Sequence, residues 1–404
     1  MRIAMLGWEF PPFISGGLGV HCYELTKALA RKGVEIDFFM PDAGQPVNAP
    51  WMNVVRVGCP EKKEDLQRSR AGPYGPEFRR LFSMKPGKDF FSMGFFDAVW
   101  AYNELAGRAV AEMNATRHYD LIHGHDWITM NAGIAAKKLT GRPLVFFVHS
   151  TEYDRTANLS PFQWIVGIEK AGVDAADLVM TNSRMMERQL WEKYGAGRQK
   201  TRVVYNAVDA CRFQCDRALE KAGFGMAGKI VLFHGRLSIQ KGPDFFLMAA
   251  KKVLEKEPDT TFVVSGKGDF LERLVKLAID LGIEDRVVFT GYLPDEKLPL
   301  LYAASDVYVL PSVSEPFGIT VLEAMAAGTP VIVSKTTGAS EIVRHCLRVD
   351  FWDVDEMANK IIALLRYGEL KEVLTDGAGT EVRGFSWGKA AEETIQVYCE
   401  LVGK

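Results

Sequence analysis

Short apolar runs rich in β-branched and aromatic residues alternate along the whole chain with longer stretches whose apolar positions recur every three or four residues. That is the pattern of parallel sheets wrapped by helices. In the first half it predicts strands at Arg2 to Gly7, Val34 to Met40, Leu121 to His123, Leu144 to Val148, Leu178 to Thr181 and Val203 to Tyr205. Helices are predicted at Leu18 to Arg31, Phe96 to Met113, Ile128 to Leu139 and Ser183 to Tyr194. From Cys59 to Lys88 the rhythm breaks: dense charge, Gly and Pro read as a long exposed excursion. After Tyr205 the alternation restarts, with strands predicted at Ile230 to Phe233, Thr261 to Val264, Arg286 to Thr290, Asp306 to Leu310 and Val331 to Val333. The polar AGRQKT ahead of it marks a boundary. The expected organisation is α/β, with Rossmann-like doubly wound domains over 1–200 and 201–385. A last helix within 386–404, free to pack on either domain, follows the break GTEVRGFSWG.

Composition narrows the classes. The chain has 404 residues, enough for two cores, and 49 Lys+Arg balance 51 Asp+Glu. Such a balance supplies no basic field for nucleic acid. Six cysteines, scattered, do not form a disulfide framework, and Cys211 with Cys215 lacks the second pair of a zinc site. The N-terminal apolar run is too short for a signal peptide, and no run approaches the ~18 apolar residues of a membrane span. The expected compartment is the cytoplasm.

Candidate chemistry gathers where strands give way to helices. Gly16, Gly17 and Gly19 follow the first strand, where glycine lets backbone N–H groups approach an anion and a helix N-terminus adds its dipole. A plain turn uses glycines too, and the G-x-G-x-x-G fingerprint of dinucleotide enzymes is absent, which disfavours a hydride-transferring dehydrogenase. HGRLSIQKG sets Arg236 and Lys241 between a strand and a helix, so both cations crown one sheet edge. A solvated loop would explain an isolated pair, but Gly235 and Gly242 bracket this one. SGKGDF, from Ser265 to Phe270, reads as a tight turn, and Tyr292 at the equivalent edge position can contact a base.

The sharpest feature is PSVSEPFGITVLEAMAAGTPVIVS, from Pro311 to Ser334. A helix expected to start near Phe317 puts Glu315 ahead of its N-terminus and Glu323 about two turns in. Between them Phe317, Gly318, Ile319 and Thr320 offer first-turn N–H groups. One motif thus supplies acceptors for sugar hydroxyls and donors for phosphate. Asp353 and Asp355 read as a helix cap, not a metal–sugar site. His123 and His125 have metal-like spacing but no third ligand nearby, so they read as a polar cleft edge.

SGGLG, HDW, GRLSIQKG, SEPFG-x4-E and FSWGKAAEETIQVY together resemble the retaining glycosyltransferases of the two-Rossmann-domain (GT-B) type, family 4 and its relatives among glycogen and starch synthases. The resemblance covers nearly the whole chain. WEFPPFISGGLGVH, GHDWITMNAG and the tail are most similar to the glycogen-synthase branch, whereas Ile14 stands where bacterial glycogen synthases carry Lys, a departure that favours family 4 at large. The resemblance implies two domains facing across a cleft, with a nucleotide sugar, ADP- or UDP-glucose, as donor and a glycan as acceptor, and no cofactor or metal. Residue by residue, it implies that Arg236 and Lys241 bind the donor diphosphate, that Glu323 holds the ribose hydroxyls and that Glu315 lies by the donor sugar. Backbone at Phe317, Gly318, Ile319 and Thr320 would contact sugar and phosphate, Gly16 and Gly17 would close on the diphosphate from the other domain, His149 would face the transferred sugar, and Asp126 would line the acceptor side. A nucleotide-sugar epimerase is the alternative enzyme class. A non-catalytic sugar-binding relative is disfavoured, since it has no need of this whole set.

Overall fold

The structure, a computed structural model, describes residues 1–12, 16–42, 46–58, 95–215 and 228–403. The excursion from Cys59 to Lys88 and the departure at Ile14 lie outside the described residues. The chain divides into two compact units, one comprising Met1–Asn206 with Trp387–Lys404 and the other Ala207–Ser386.

The first unit is built on a seven-stranded parallel sheet of order β3-β2-β1-β4-β5-β6-β7. Its strands are β1 (Arg2–Leu6), β2 (Glu35–Pro41), β3 (Asn53–Val57), β4 (Leu121–His125), β5 (Leu144–Val148), β6 (Leu178–Thr181) and β7 (Thr201–Val203). The central strands β4, β5 and β6 are buried along their whole length, which is why they read as continuous apolar runs and not as alternating ones. The closing helix, Trp387–Val402, belongs to this unit: Tyr398 at its buried face shares a 2.6 Å hydrogen bond with His123 of β4.

The second unit carries a six-stranded parallel sheet of order β10-β9-β8-β11-β12-β13. Here β8 is Lys229–His234, β9 Thr260–Ser265, β10 Val287–Gly291, β11 Val307–Leu310, β12 Val331–Ser334 and β13 Leu347–Val349. Val231, Phe233, Phe262 and Val264 of the sheet pack with Phe246 and Leu247 of helix Pro243–Leu254 and Ile361 of helix Val354–Arg366 in one continuous core. Each such side chain contributes roughly 1.5–3 kcal/mol by burial. Both units are therefore Rossmann-like, and in each the strand order reverses once, between β1 and β4 and between β8 and β11. Ligand crevices of open parallel sheets lie outside the carboxyl ends of strands at such a reversal.

Two strands, β3 and β13, are not anticipated by the sequence pattern, and β7 forms at Thr201–Val203 instead of Val203–Tyr205. All three lie at or next to sheet edges and are only partly buried, so solvent-facing residues dilute the apolar signal. Asp353 caps its helix as expected, its carboxylate accepting the Glu356 N–H at 2.9 Å, while exposed Asp355 pairs with Lys252.

Candidate active site

In the second unit the reversal point is flanked by the loop after β8 and the loop after β11, and the two loops are stitched together. Val313 N–H donates to the Gln240 carbonyl at 2.9 Å. Gly242, at φ 62°, lies so near the Pro311 carbonyl that a Cβ there would approach the oxygen to 2.3 Å. That stitching carries Lys241 to Glu315: their side chains form a short ion pair, and Ser312 Oγ stands 3.5 Å from the same carboxylate oxygen. Glu315 is 7% exposed and is fixed through its backbone, its N–H donating to Thr336 and its carbonyl accepting from Gly338 at 2.8 Å. Arg236 sits half-buried on the same β8 loop.

The helix after β11 runs over Ile319–Ala326, starting two residues later than expected, and Gly318 is its N-cap at φ 92°. A side chain at 318 would need that left-handed backbone and would crowd Thr337 and Glu315 at 3.1–3.2 Å. Glu323 consequently lies one turn into the helix, not two, and Phe317 lies ahead of it. Ile319 and Thr320 open the helix, where first-turn amides have no acceptor within the helix. Tyr302 donates to Glu323 at 3.0 Å, and burial, only partly offset by that bond, raises the Glu323 carboxyl to about 7. Tyr308 donates to Thr320 Oγ1 at 2.8 Å.

The glycines of SGKGDF serve close packing. A Cβ at Gly266 would come within 1.9 Å of the Gly235 carbonyl and one at Gly268 within 2.1 Å of that of Leu237, so the β9 loop lies flush against the β8 loop. Tyr292, 58% exposed, follows β10 at the same edge with Lys267 over its ring.

In the first unit the corresponding edge holds no such cation pair among the described residues. Gly16 is the extended N-cap of helix Gly17–Arg31. Asp126, fully buried at the start of helix Trp127–Thr140, turns its carboxylate to the backbone of the next loop: Oδ1 accepts the His149 N–H at 2.6 Å. Asn182 donates to the His149 carbonyl at 3.0 Å, so the loop after β5 is clamped from both sides. The His149 ring lies on Phe147 and shares a 3.0 Å hydrogen bond with His125 Nδ1. His21, from helix Gly17–Arg31, stacks edge-on against His149 at 4.4 Å between centroids. Burial pushes all of these rings well below the usual imidazole range, His21 to about 4 and His123 to about 3, so they are neutral.

Several residues here were not singled out from the chain: His21, Tyr302, Tyr308, Ser312 and the stitching residue Gln240. His21 and His125 each sit within a motif recognised for other residues, SGGLGVH and HGHDW. Only the adjacency of β1, β4 and β5 brings a third and fourth imidazole to His125, correcting the expectation that no further ligand lies near.

The sequence profile described as Glycosyltransferase Family 4 matches residues 15–212, and that described as Glycosyl transferases group 1 matches residues 216–379. A D-inositol 3-phosphate glycosyltransferase of Acidothermus cellulolyticus is 32% identical over 100% of this chain and 91% of its own. A glycogen synthase of Mycobacterium tuberculosis is 29% identical, over 98% of this chain and 94% of its own. Among solved structures, a sucrose-phosphate synthase from Thermosynechococcus elongatus has the same fold, with a TM-score of 0.80 at 24% identity, covering 100% of this chain and 99% of that one.

Proposed function

Since the chain belongs to the family 4 glycosyltransferases of the GT-B type, we propose that it transfers a hexose, glucose, from a nucleotide sugar to the end of a growing α-glucan, with retention of configuration. The observation that carries this reading is the charge arrangement at the β8–β11 reversal point: Lys241 held against a buried Glu315, Arg236 on the same loop, and a helix start beside them.

The chemistry follows from where charge develops. As the bond between the anomeric carbon and the diphosphate breaks, negative charge grows on the leaving group and positive charge on the sugar. In the free protein Glu315 neutralises Lys241; an arriving diphosphate takes over that cation and leaves the carboxylate free to accept from a sugar hydroxyl. Arg236 and the first-turn amides at Ile319 and Thr320 add fixed donors for the phosphates, the groups a divalent cation would otherwise have to balance. Glu323 accepts the ribose hydroxyls, and exposed Tyr292 stacks on the base. His149, neutral and clamped, hydrogen-bonds the transferred sugar, while the leaving phosphate takes the acceptor proton on the same face. Gly16 and Gly17 are assigned to the diphosphate by resemblance, and Asp126 acts on the acceptor side by holding the His149 loop.

A second reading, transfer to a phosphorylated polyol, is supported by the 32% identity to a D-inositol 3-phosphate glycosyltransferase. One screen tests both: ADP- and UDP-sugars incubated with glycogen, maltooligosaccharides, inositol phosphate or no acceptor, with product identification. An elongated α-glucan is expected. A hexosyl-inositol phosphate selects the second reading, and conversion of the nucleotide sugar without acceptor would make the protein an epimerase.

A further inference from the structure

The histidine cluster of the first unit contains a ring nitrogen that, among the described residues, has no hydrogen-bond partner: Nε2 of His21, fully enclosed. Buried polar groups left in this state call for a bound species to complete them. The surrounding donors indicate which species. We propose that His21, His125 and His149 form a binding site for one borderline transition-metal ion, with Zn²⁺ the best fit.

Ligand nitrogens of the three rings all lie within 4.8 Å of one another. Two of them, His125 Nδ1 and His149 Nε2, stand 3.0 Å apart, and two nitrogens bound at ~2.0–2.1 Å to one ion are separated by about 2.8–3.4 Å for right-angle to tetrahedral geometry. Only His21 has to move inward. Its orientation is already set from behind: Nδ1–H donates to Asn206 Oδ1 at 2.7 Å, which leaves Nε2 bare, the arrangement in which an outer partner fixes the tautomer of a ligating imidazole. The His149 backbone is clamped by Asp126 and Asn182, so two of the three ligands are preorganised. Burial keeps the rings unprotonated, which is the state that binds metal. An all-imidazole set suits Zn²⁺, Cu²⁺ or Ni²⁺ and not the oxygen-seeking Mg²⁺ or Ca²⁺. With three protein ligands the fourth position is left to water.

Metal occupancy withdraws His149 from hydrogen bonding to a sugar, so the loaded protein transfers less hexose. That consequence rests on the role proposed for His149 above, whereas binding itself does not.

The full-length protein, freed of metal, is titrated with Zn²⁺ against a chromophoric chelator, and separately with Co²⁺ while recording the visible spectrum. One equivalent is expected to bind, with a Co²⁺ spectrum of four-coordinate imidazole ligation. His21→Gln is expected to weaken Zn²⁺ binding at least tenfold, and Asn206→Ala, acting only through His21, by about tenfold. His118→Gln, an exposed histidine, is expected to change nothing. Circular dichroism reports whether the variants remain folded, and the wild-type spectrum stands without them. Failure of the wild type to bind one equivalent, or a Co²⁺ spectrum without imidazole ligation, would overturn the site and leave an ordered water as what completes His21 Nε2. Stoichiometric binding with unchanged transfer would uphold the site and overturn the role given to His149.

Discussion

At the carboxyl edge of the second unit's sheet, charged groups are brought to a strand-order reversal and kept partly open: a Lys–Glu pair, an arginine and a helix start, with Glu323 held by a tyrosine. At the carboxyl edge of the first unit's sheet, neutral imidazoles gather at the same reversal, and the carboxylate of Asp126 beside them is turned to backbone amides. The strand orders are the same apart from one additional edge strand in the first unit. Topology therefore says where a ligand can lie, and side-chain charge says what kind. The second unit is equipped to meet a polyanion. On the proposed reading the first meets uncharged hydroxyls through its imidazoles, because a protonated histidine in so enclosed a place would carry a desolvation cost with nothing to offset it.

The contrast is broken most directly by removing the cations. Arg236→Ala and Lys241→Ala are each expected to lower turnover about 10²–10³-fold, the loss typical of a preorganised donor aimed at developing charge. Lys241→Ala also leaves Glu315 as a buried carboxylate without its cation, so its melting temperature falls more than that of Arg236→Ala. Steady-state kinetics with a thermal melt check both. Near-normal turnover in the two variants would mean that the charge at this edge does not serve the leaving group.

Acid separates the units next. His21, His123, His125 and His149 titrate near 6.5 when unfolded, whereas in the folded protein burial lowers His21 to about 4, His123 to about 3 and the other two well below the usual imidazole range. Below pH 6.5 the unfolded chain binds more protons, so the stability these rings contribute is complete above 6.5 and declines as pH falls toward about 4. Each uncompensated ring costs about 1.4 kcal/mol per pH unit in that window. Glu169, raised to about 7, offsets one of the four, since its folded form takes up a proton first. In the second unit His234, lowered to about 4, is matched by Glu323, raised to about 7, and the two nearly cancel between pH 4.5 and 6.5. Hydrogen exchange at pH 7 and 5, corrected for intrinsic rates, is expected to show protection lost in the first unit and largely kept in the second. Equal loss in both would refute the neutral-cluster description.

His149→Ala probes the neutral edge alone. Loss of one hydrogen bond to the sugar is expected to reduce turnover about tenfold while an α-linked donor still gives an α-linked product, read from early proton spectra. A β-linked product would overturn the retaining reading.

Much of this contrast was legible in the chain. The fully buried strands announce themselves as apolar runs, and the Arg236–Lys241 and Glu315–Glu323 motifs are local, each set by one loop and one helix. What was not legible is non-local. His21 lies more than a hundred residues from His125, and only strand order brings them together. The helix expected to start near Phe317 begins at Ile319, because Gly318, in a left-handed conformation, caps it. Edge strands β3 and β13 are short and half-exposed, and nothing in three to five such residues separates a strand from a loop.

The smallest expected effect is also the most specific to the charged edge. Glu323 is poised near neutrality, raised to about 7 by burial, and its ionised form is the better acceptor for two ribose hydroxyls. Nucleotide binding measured by calorimetry is therefore expected to tighten as pH rises from 6 to 8, by about tenfold at most, since the ionised fraction changes by no more than that across one unit either side of the pKa. Glu323→Gln keeps the shape and one acceptor oxygen but cannot ionise, so its binding should be weaker at pH 8 and indifferent to pH. The nucleotide's own phosphate titration overlaps this range, so the difference between variant and wild type is what counts. If the variant keeps the full pH dependence, the titrating group is not Glu323, and the ribose is held by some other acceptor of the second unit.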